Sequence, residues 1–454
     1  MRAAAILRPL PLAFLIFPFS FALQVLYQNE RFGLIPYGLL FMSIGVFLFK
    51  APFERNILWG STGIRYLDIF VGLFLLSSTT HVVFGIALGG YASTEGARLF
   101  LIYVVGGWIY CYFSRYAEET EIRAVMVAIT IASIVVGLHW VYETYTKMIL
   151  LEVSEFQKLS ISYTKMRQGD GVDDLNLAGV GTQYRAYGLV ENHTTTGATV
   201  AIGAFAILAL FPYLSLNRRL LLLSAFLIVL SIGQATTAWI SYVFLMPLLL
   251  ALAEDDVKAR TILAKIALYP VLGFVAILIP VLSLEEPRNL FLSIVDLFSL
   301  QFSFIFNFDS SGETLSWFWL YVDHAIKLAD FFSMKPFVML IGEGPVGYGE
   351  VFYGRGGDVA VLEFIAAYGI PMTILFFASC MGALMHVAKS RKCATLNRNE
   401  TMYLVFGFAV LAFLLLSLAH YDTLFKKSVI VCFYLALGLI RRYGYGHSVE
   451  GSAP

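Results

Sequence analysis

Residues Val359–Val387 read VAVLEFIAAYGIPMTILFFASCMGALMHV, a run of 29 residues whose only formally charged side chain is Glu363. A helix rises about 1.5 Å per residue, so roughly 20 apolar residues cross the ~30 Å hydrocarbon layer of a bilayer. This run is long enough to do so. Leu220–Gly233 and Ala235–Ala253 are further apolar runs, and similar ones recur along the whole chain.

Composition explains why they cannot all fold into a water-soluble core. The chain is 59% hydrophobic and 14% charged, against roughly 45–50% and about 25% in soluble domains. The sequence therefore predicts an all-α integral membrane protein. Lysine and arginine balance aspartate and glutamate at 31 each, so no basic excess points to nucleic acid. Cys111, Cys380, Cys393 and Cys432 stand in or beside hydrophobic runs without CxxC spacing, which argues against a disulfide framework or a zinc site. They read as small packing residues. Arg2 and Arg8 precede an apolar stretch, as in a signal peptide, but that stretch continues to Tyr27 without a small-x-small cleavage site. It reads as a first membrane helix.

Apolar runs between polar breaks place about twelve transmembrane helices, near 9–27, 33–49, 67–90, 98–114, 124–147, 193–213, 220–233, 235–253, 261–282, 359–387, 402–419 and 424–440. With this count, the loops on one side hold Lys50, Arg55, Arg65, Arg115, Arg123, Arg218, Arg219, Lys258, Arg260, Lys389, Arg391, Lys392, Arg398, Arg441 and Arg442. The short loops on the other hold mainly Arg31, Arg98, Lys426 and Lys427. By the positive-inside rule both termini are expected in the cytoplasm. The chain divides into N-terminal helices (1–147), a long outer segment (148–192), central helices (193–282), a second long outer segment (283–358), and C-terminal helices with a short tail (359–454). Loops of that length are uncommon unless structured or functional. In the second, Phe291, Ile294, Leu297 and Phe298 fall at helical spacing, and a further patterned run covers Leu315–Phe332. Both are expected to be amphipathic helices lying on the membrane surface, with short extra spans or a re-entrant hairpin as the alternative.

The outer segments carry the polar residues from which chemistry can be built. Arg185, in Gly181-Thr-Gln-Tyr-Arg-Ala-Tyr-Gly188, offers a forked cation suited to phosphate oxygens; an anchor for lipid headgroups is the simpler role. Glu191 and His193 open the next helix, and Glu363 lies a turn or more inside a later one. Ionisable groups at such depth are costly and face a cavity or a partner. A glycine-rich run, Ile341-Gly-Glu-Gly-Pro-Val-Gly-Tyr-Gly349, leads to Arg355 and Asp358 at the mouth of a helix. It lacks the ending and the preceding strand of a phosphate loop. His139 and Glu143 are one turn apart, but no second histidine completes a zinc-binding helix, and no GxSxG elbow is present.

Three segments resemble the bacterial O-antigen polymerase and O-antigen ligase superfamily, membrane glycosyltransferases that use polyprenyl-diphosphate-linked sugars. They are Arg185-Ala-Tyr-Gly188 with Glu191-Asn-His193; Ser231-Ile-Gly-Gln-Ala-Thr-Thr-Ala-Trp239; and Met334-Lys-Pro-Phe-Val-Met-Leu-Ile-Gly-Glu-Gly344 followed by Asp358-Val-Ala-Val-Leu362 and Gly369. The resemblance covers roughly Gly181 to Arg442. It implies a GT-C-like fold in the bacterial inner membrane and a metal-independent reaction without a cofactor. On it, Asp358, Glu191 and His193 become candidate catalytic groups. Arg185, Arg355, Arg288, His420 and Gln234 become candidates for holding the diphosphate or glycan. The ligase branch typically opens the late helix with histidine, where this chain has Asp358, so the polymerase branch is favoured. Leu315-Ser316 stand where the family often has an arginine before the Trp317 region, which leaves Arg355 or Arg288 as replacements.

The expected partners are then a polyprenyl-diphosphate-linked oligosaccharide, membrane lipids, and a chain-length regulator and flippase of the same pathway, with no nucleic acid. A diphosphate leaving group on a lipid needs interfacial cations, lateral hydrophobic access and a base near the acceptor hydroxyl. A ligase that moves finished glycan onto lipid A core is the alternative within the family. A polysaccharide or lipid transporter is the alternative from another class, and it calls for ionisable residues through both halves of the bundle.

Overall fold

The computed structural model describes residues 8–27, 30–50, 65–87, 93–146, 189–190, 193–232, 236–253, 317–344, 360–393, 396–418, 424 and 426–444. Among them there is no strand. The helices are α1 (Pro9–Ile16), α2 (Ser20–Leu26), α3 (Ile35–Lys50), α4 (Tyr66–Ala87), α5 (Ser93–Arg115), α6 (Glu119–Thr146), α7 (His193–Ala209), α8 (Leu216–Ile232), α9 (Thr236–Ala253), α10 (Trp317–Met334), α11 (Pro336–Ile341), α12 (Ala360–Cys393), α13 (Arg398–Ser417) and α14 (Lys427–Leu439). A 3₁₀ turn at Phe17–Phe19, carrying Pro18, joins α1 to α2. A proline without an N–H inside a helical run bends it in this way.

Each expected span that falls within the described residues is helical; the span near 261–282 lies outside them. Among the described residues, five stretches are long and apolar enough to cross a membrane: Arg31–Leu48, Tyr66–Ala87, Glu119–Glu143, Ala360–Ala388 and Arg398–Ser417. Pro9–Gln24 and Thr194–Ala209 are shorter apolar helices. The exposed surface agrees. In α4 the buried stripe is Leu67, Phe70, Val71, Phe74, Ser78 and Val82, yet the exposed face carries Ile69, Leu73, Leu76, Val83 and Phe84. In water that outer face would be polar; a face apolar on both sides belongs to a helix with lipid around it.

Side-chain contacts fix the helix directions. Arg115 at the end of α5 and Arg441 just beyond α14 both meet Asp68 at the start of α4. Tyr213, after α7, and Asn399, in the first turn of α13, both donate to Glu119 at the start of α6. His386 near the end of α12 reaches the Gly444 carbonyl. Thus α4, α6 and α13 run from this end of the bundle, and α5, α7, α12 and α14 run back to it. The basic residues Arg65, Arg115, Arg123, Arg219, Arg398, Arg441 and Arg442 gather here, as the loop-charge count anticipates.

The centre is built from α7, α13 and α14. Thr195–Ala209 in α7 and Thr401–Leu414 in α13 are buried on every side. Lipid tails are as apolar as leucine, so close packing and hydrogen bonds, more than hydrophobic burial, hold such helices together. Small residues supply the closeness. A methyl group on Gly203 of α7 would collide with Ser133 of α6, and one on Gly106 of α5 with the Tyr434 ring of α14. Ser133 Oγ also donates to the Thr199 carbonyl at 2.8 Å, tying α6 to α7. α13 begins with a capping box: Glu400 N–H donates to Asn397 Oδ1 and Asn397 N–H to Glu400 Oε2, both at 2.9 Å. This satisfies two of its orphan donors.

Candidate functional site

The irregular backbone is in α12. Gly369 sits at φ 75°, ψ 169°, and Pro371 follows two residues later, so the helix stops at Tyr368 and restarts. A break inside a candidate membrane span frees carbonyls that lipid cannot satisfy. The chain satisfies them from another element. Pro371 has no N–H for the Ala367 carbonyl; Gly344 N–H takes that place at 2.9 Å, and Glu343 N–H donates to the Ala366 carbonyl at 2.8 Å. Thr373 Oγ1 donates to the Gly369 carbonyl at 2.6 Å.

The docked segment is the glycine-rich end of the α10–α11 hairpin. Gly342 closes α11 at φ 79°, its N–H on the Val338 carbonyl at 2.7 Å, a left-handed helix stop that favours glycine. The two glycines interlock. A Cβ on Gly342 would strike the Ala367 carbonyl, and one on Gly369 would lie 2.6 Å from the Leu340 carbonyl oxygen. The absence of a side chain at Gly342 thus serves close approach to a neighbouring helix.

Two ionisable residues are buried where the hairpin meets α12. Glu363, 0% exposed, lies one turn before Ala366 and Ala367 on the same face. His324, also fully buried, lies one turn before Leu328, which packs with Ala366 together with Leu362 and Ile365. The stripe of α10 that meets α12 thus carries a histidine, and the stripe of α12 that receives it carries a carboxylate. Asp323 adjoins His324, with Oδ2 at 3.8 Å from Nδ1, and also pairs with Lys327. On the next face of α12, Tyr368 and Tyr103 hydroxyls stand 2.8 Å apart and Ser78 Oγ donates to Tyr368 at 3.2 Å. A buried acid and imidazole in one seam can hold, accept or pass a proton. His324 was missed in the sequence because a lone histidine in an apolar stripe has no pattern of its own.

A second buried acid, Glu143, stands near the end of α6, with His139 Nδ1 at 3.7 Å on the preceding turn. α7 begins at that same end, and Thr195, Thr196 and Thr199 line its buried surface. At the opposite end, Asp68 accepts from Tyr110 Oη at 2.8 Å, from Arg441 Nε at 3.0 Å and from the Arg65 backbone N–H at 2.8 Å. Arg441 is 2% exposed, so this lock joins three helix ends in a nearly water-free place. Among the described residues no three His, Cys, Asp or Glu side chains form a group able to hold a metal ion.

Of the residues picked from the sequence, Asp358, Glu191, Arg185, Arg355, Arg288, His420 and Gln234 lie outside the described residues. His193 is the first residue of α7, and its side chain is not among those described. Of the two amphipathic stretches, Leu315–Phe332 corresponds to α10, and the one through Phe291 lies outside. No family model, no curated protein and no solved structure matches the chain.

Proposed function

We propose that the protein is a membrane glycosyltransferase that joins polyprenyl-diphosphate-linked oligosaccharide repeats into a surface or secreted polysaccharide, working at the periplasmic face of the bacterial inner membrane. The observation that carries this reading is the meeting of Gly342–Gly344 with Gly369. These are two separated parts of one of the segments that resemble the polymerase and ligase superfamily, and they meet beside a helix break fewer than two turns from the buried Glu363 carboxylate. In this reading Asp358, Glu191 and His193 supply the acid–base chemistry. Arg185, with Arg355, Arg288, His420 and Gln234, holds diphosphate or glycan, and the apolar faces of the bundle let the polyprenyl tail approach from the side.

A transporter is the second reading, favoured by one observation: Glu143 and Glu363 are both buried within candidate spans, and a broken helix with a docked loop is the form in which transporters build midplane sites. The surface glycan of a deletion strain separates the readings. A polymerase predicts loss of long chains while single repeats stay attached to lipid A. Loss of every attached repeat indicates the ligase, and lipid-linked repeats held on the cytoplasmic face indicate the transporter.

A further inference from the structure

We propose that Glu143 and His139 form a carboxylate–imidazole pair in which Nε2 of His139 is a general base for an acceptor hydroxyl, at the end of the bundle opposite the arginines. The inference rests on the glycosyl-transfer reading above. Helix register carries the placement. Glu119 opens α6 beside Tyr213, which lies under Arg123. Glu143 lies 24 residues further along the same helix, about 36 Å away at 1.5 Å per residue and so at the far boundary of a ~30 Å hydrocarbon layer. α7 runs back beside α6, with Gly203 packed on Ser133 and Gly137 on Val200. The same register, continued ten residues from Ser133 and Gly203, sets Glu143 level with His193, the first residue of α7.

Glu143 is buried, and a carboxylate buried in an apolar span needs a partner. His139, one turn earlier on the same side of α6, presents Nδ1 to Glu143 Oε2 at 3.7 Å. Among the described residues neither ring nitrogen of His139 has a hydrogen-bond partner, so nothing there competes with Glu143 for the ring. A proton on Nδ1, turned to the carboxylate, leaves the lone pair on Nε2 as the working end, as a carboxylate does for a catalytic histidine. At 3.7 Å the pair is loose, and such contacts tighten as substrate binds. The ring stands at the rim of the bundle, 10% exposed and flanked by the exposed Leu138 and Tyr142, where a change of rotamer can bring Nε2 to the surface. In the transfer, Nε2 takes the proton of the acceptor hydroxyl and the hydroxyl oxygen bonds to the anomeric carbon. The bond from that carbon to the phosphate oxygen breaks, and polyprenyl diphosphate leaves with the electron pair. The imidazolium then returns its proton to the diphosphate or to water. His139 is the catalytic group in this step, and Glu143 is a positioning residue.

Nitrogen NMR of the full chain in phosphatidylcholine membranes at neutral pH tests the pair, and polymer formation tests its use. Leu138–His139 is the only Leu–His sequence in the chain, so paired leucine and histidine labelling assigns this ring without any substitution. The expected spectrum has the proton on Nδ1 and a bare Nε2, and Glu143→Leu abolishes that preference. A proton on Nε2 in the unsubstituted protein, or a spectrum that Glu143→Leu leaves unchanged, overturns the pair. His139→Gln keeps a hydrogen-bonding side chain but no base, and it is expected to lower polymer formation from lipid-linked repeats about 100-fold while the protein still accumulates in the membrane. Normal polymer in that variant overturns the base, whatever the spectrum shows. The glycosyl-transfer reading fails separately: unchanged surface glycan in a deletion strain removes it and the base role with it, while the spectrum still decides whether Glu143 holds His139.

Discussion

Glu363 is the residue whose place is easiest to test, because burial in a membrane span leaves a carboxylate few reasons to be there. It lies in the first turn of α12, where a negative charge also suits the helix dipole. Glutamine keeps its shape and removes its ability to take a proton. If the proposed polymerase uses Glu363 as an acid or base, Glu363→Gln is expected to lower polymer formation about 100-fold, the usual scale of acid–base catalysis, while the protein still accumulates in the membrane. Normal polymer in that variant would reduce Glu363 to a helix-end charge. Asp68 makes the contrasting case, in which the chemistry is stability alone. Asp68→Asn strands the buried Arg441 guanidinium and is expected to cost about 3–5 kcal/mol, read as an earlier thermal transition in detergent. An unchanged transition would show that the lock contributes nothing.

Elements show where local sequence rules give way. The run 359–387 reads as one continuous apolar helix, and α12 does extend through it to Cys393. The helix nevertheless breaks at Gly369, because Glu343 and Gly344, more than 20 residues earlier, are present to satisfy the carbonyls that Pro371 leaves open. Gly369→Ala forces a Cβ against the Leu340 carbonyl at positive φ, which is expected to cost about 1–3 kcal/mol. Hydrogen exchange at the Glu343 and Gly344 amides should then accelerate; equal rates in both proteins would mean that the two segments do not hold each other. Patterning marked α10 as amphipathic, and it is, but the same pattern suits a surface helix and a helix packed on a neighbour. Only the position of Leu328 against Ala366 says which surface its buried stripe meets.

Over the whole molecule, the alternating helix directions gather the arginines at one end, the end that the positive-inside rule expects in the cytoplasm. Substituted cysteines are accordingly expected to label from outside at Glu350 and from inside at Lys392; labelling of both from the cytoplasm would reverse the bundle and move the proposed site with it. The sequence by itself determined that the chain is helical and embedded in a membrane, since apolar run length and loop charge are local properties that lipid and water read residue by residue. It also marked Gly342, Gly344, Glu143 and Glu363. What only the tertiary structure decided is which residues meet: the interlocked glycines, the packing of α10 on α12 at Leu328 and Ala366, and the lock of Asp68 with Arg441. Each joins residues far apart in the chain through backbone hydrogen bonds, side-chain packing or paired charge, and no periodicity within a single helix records such a pairing.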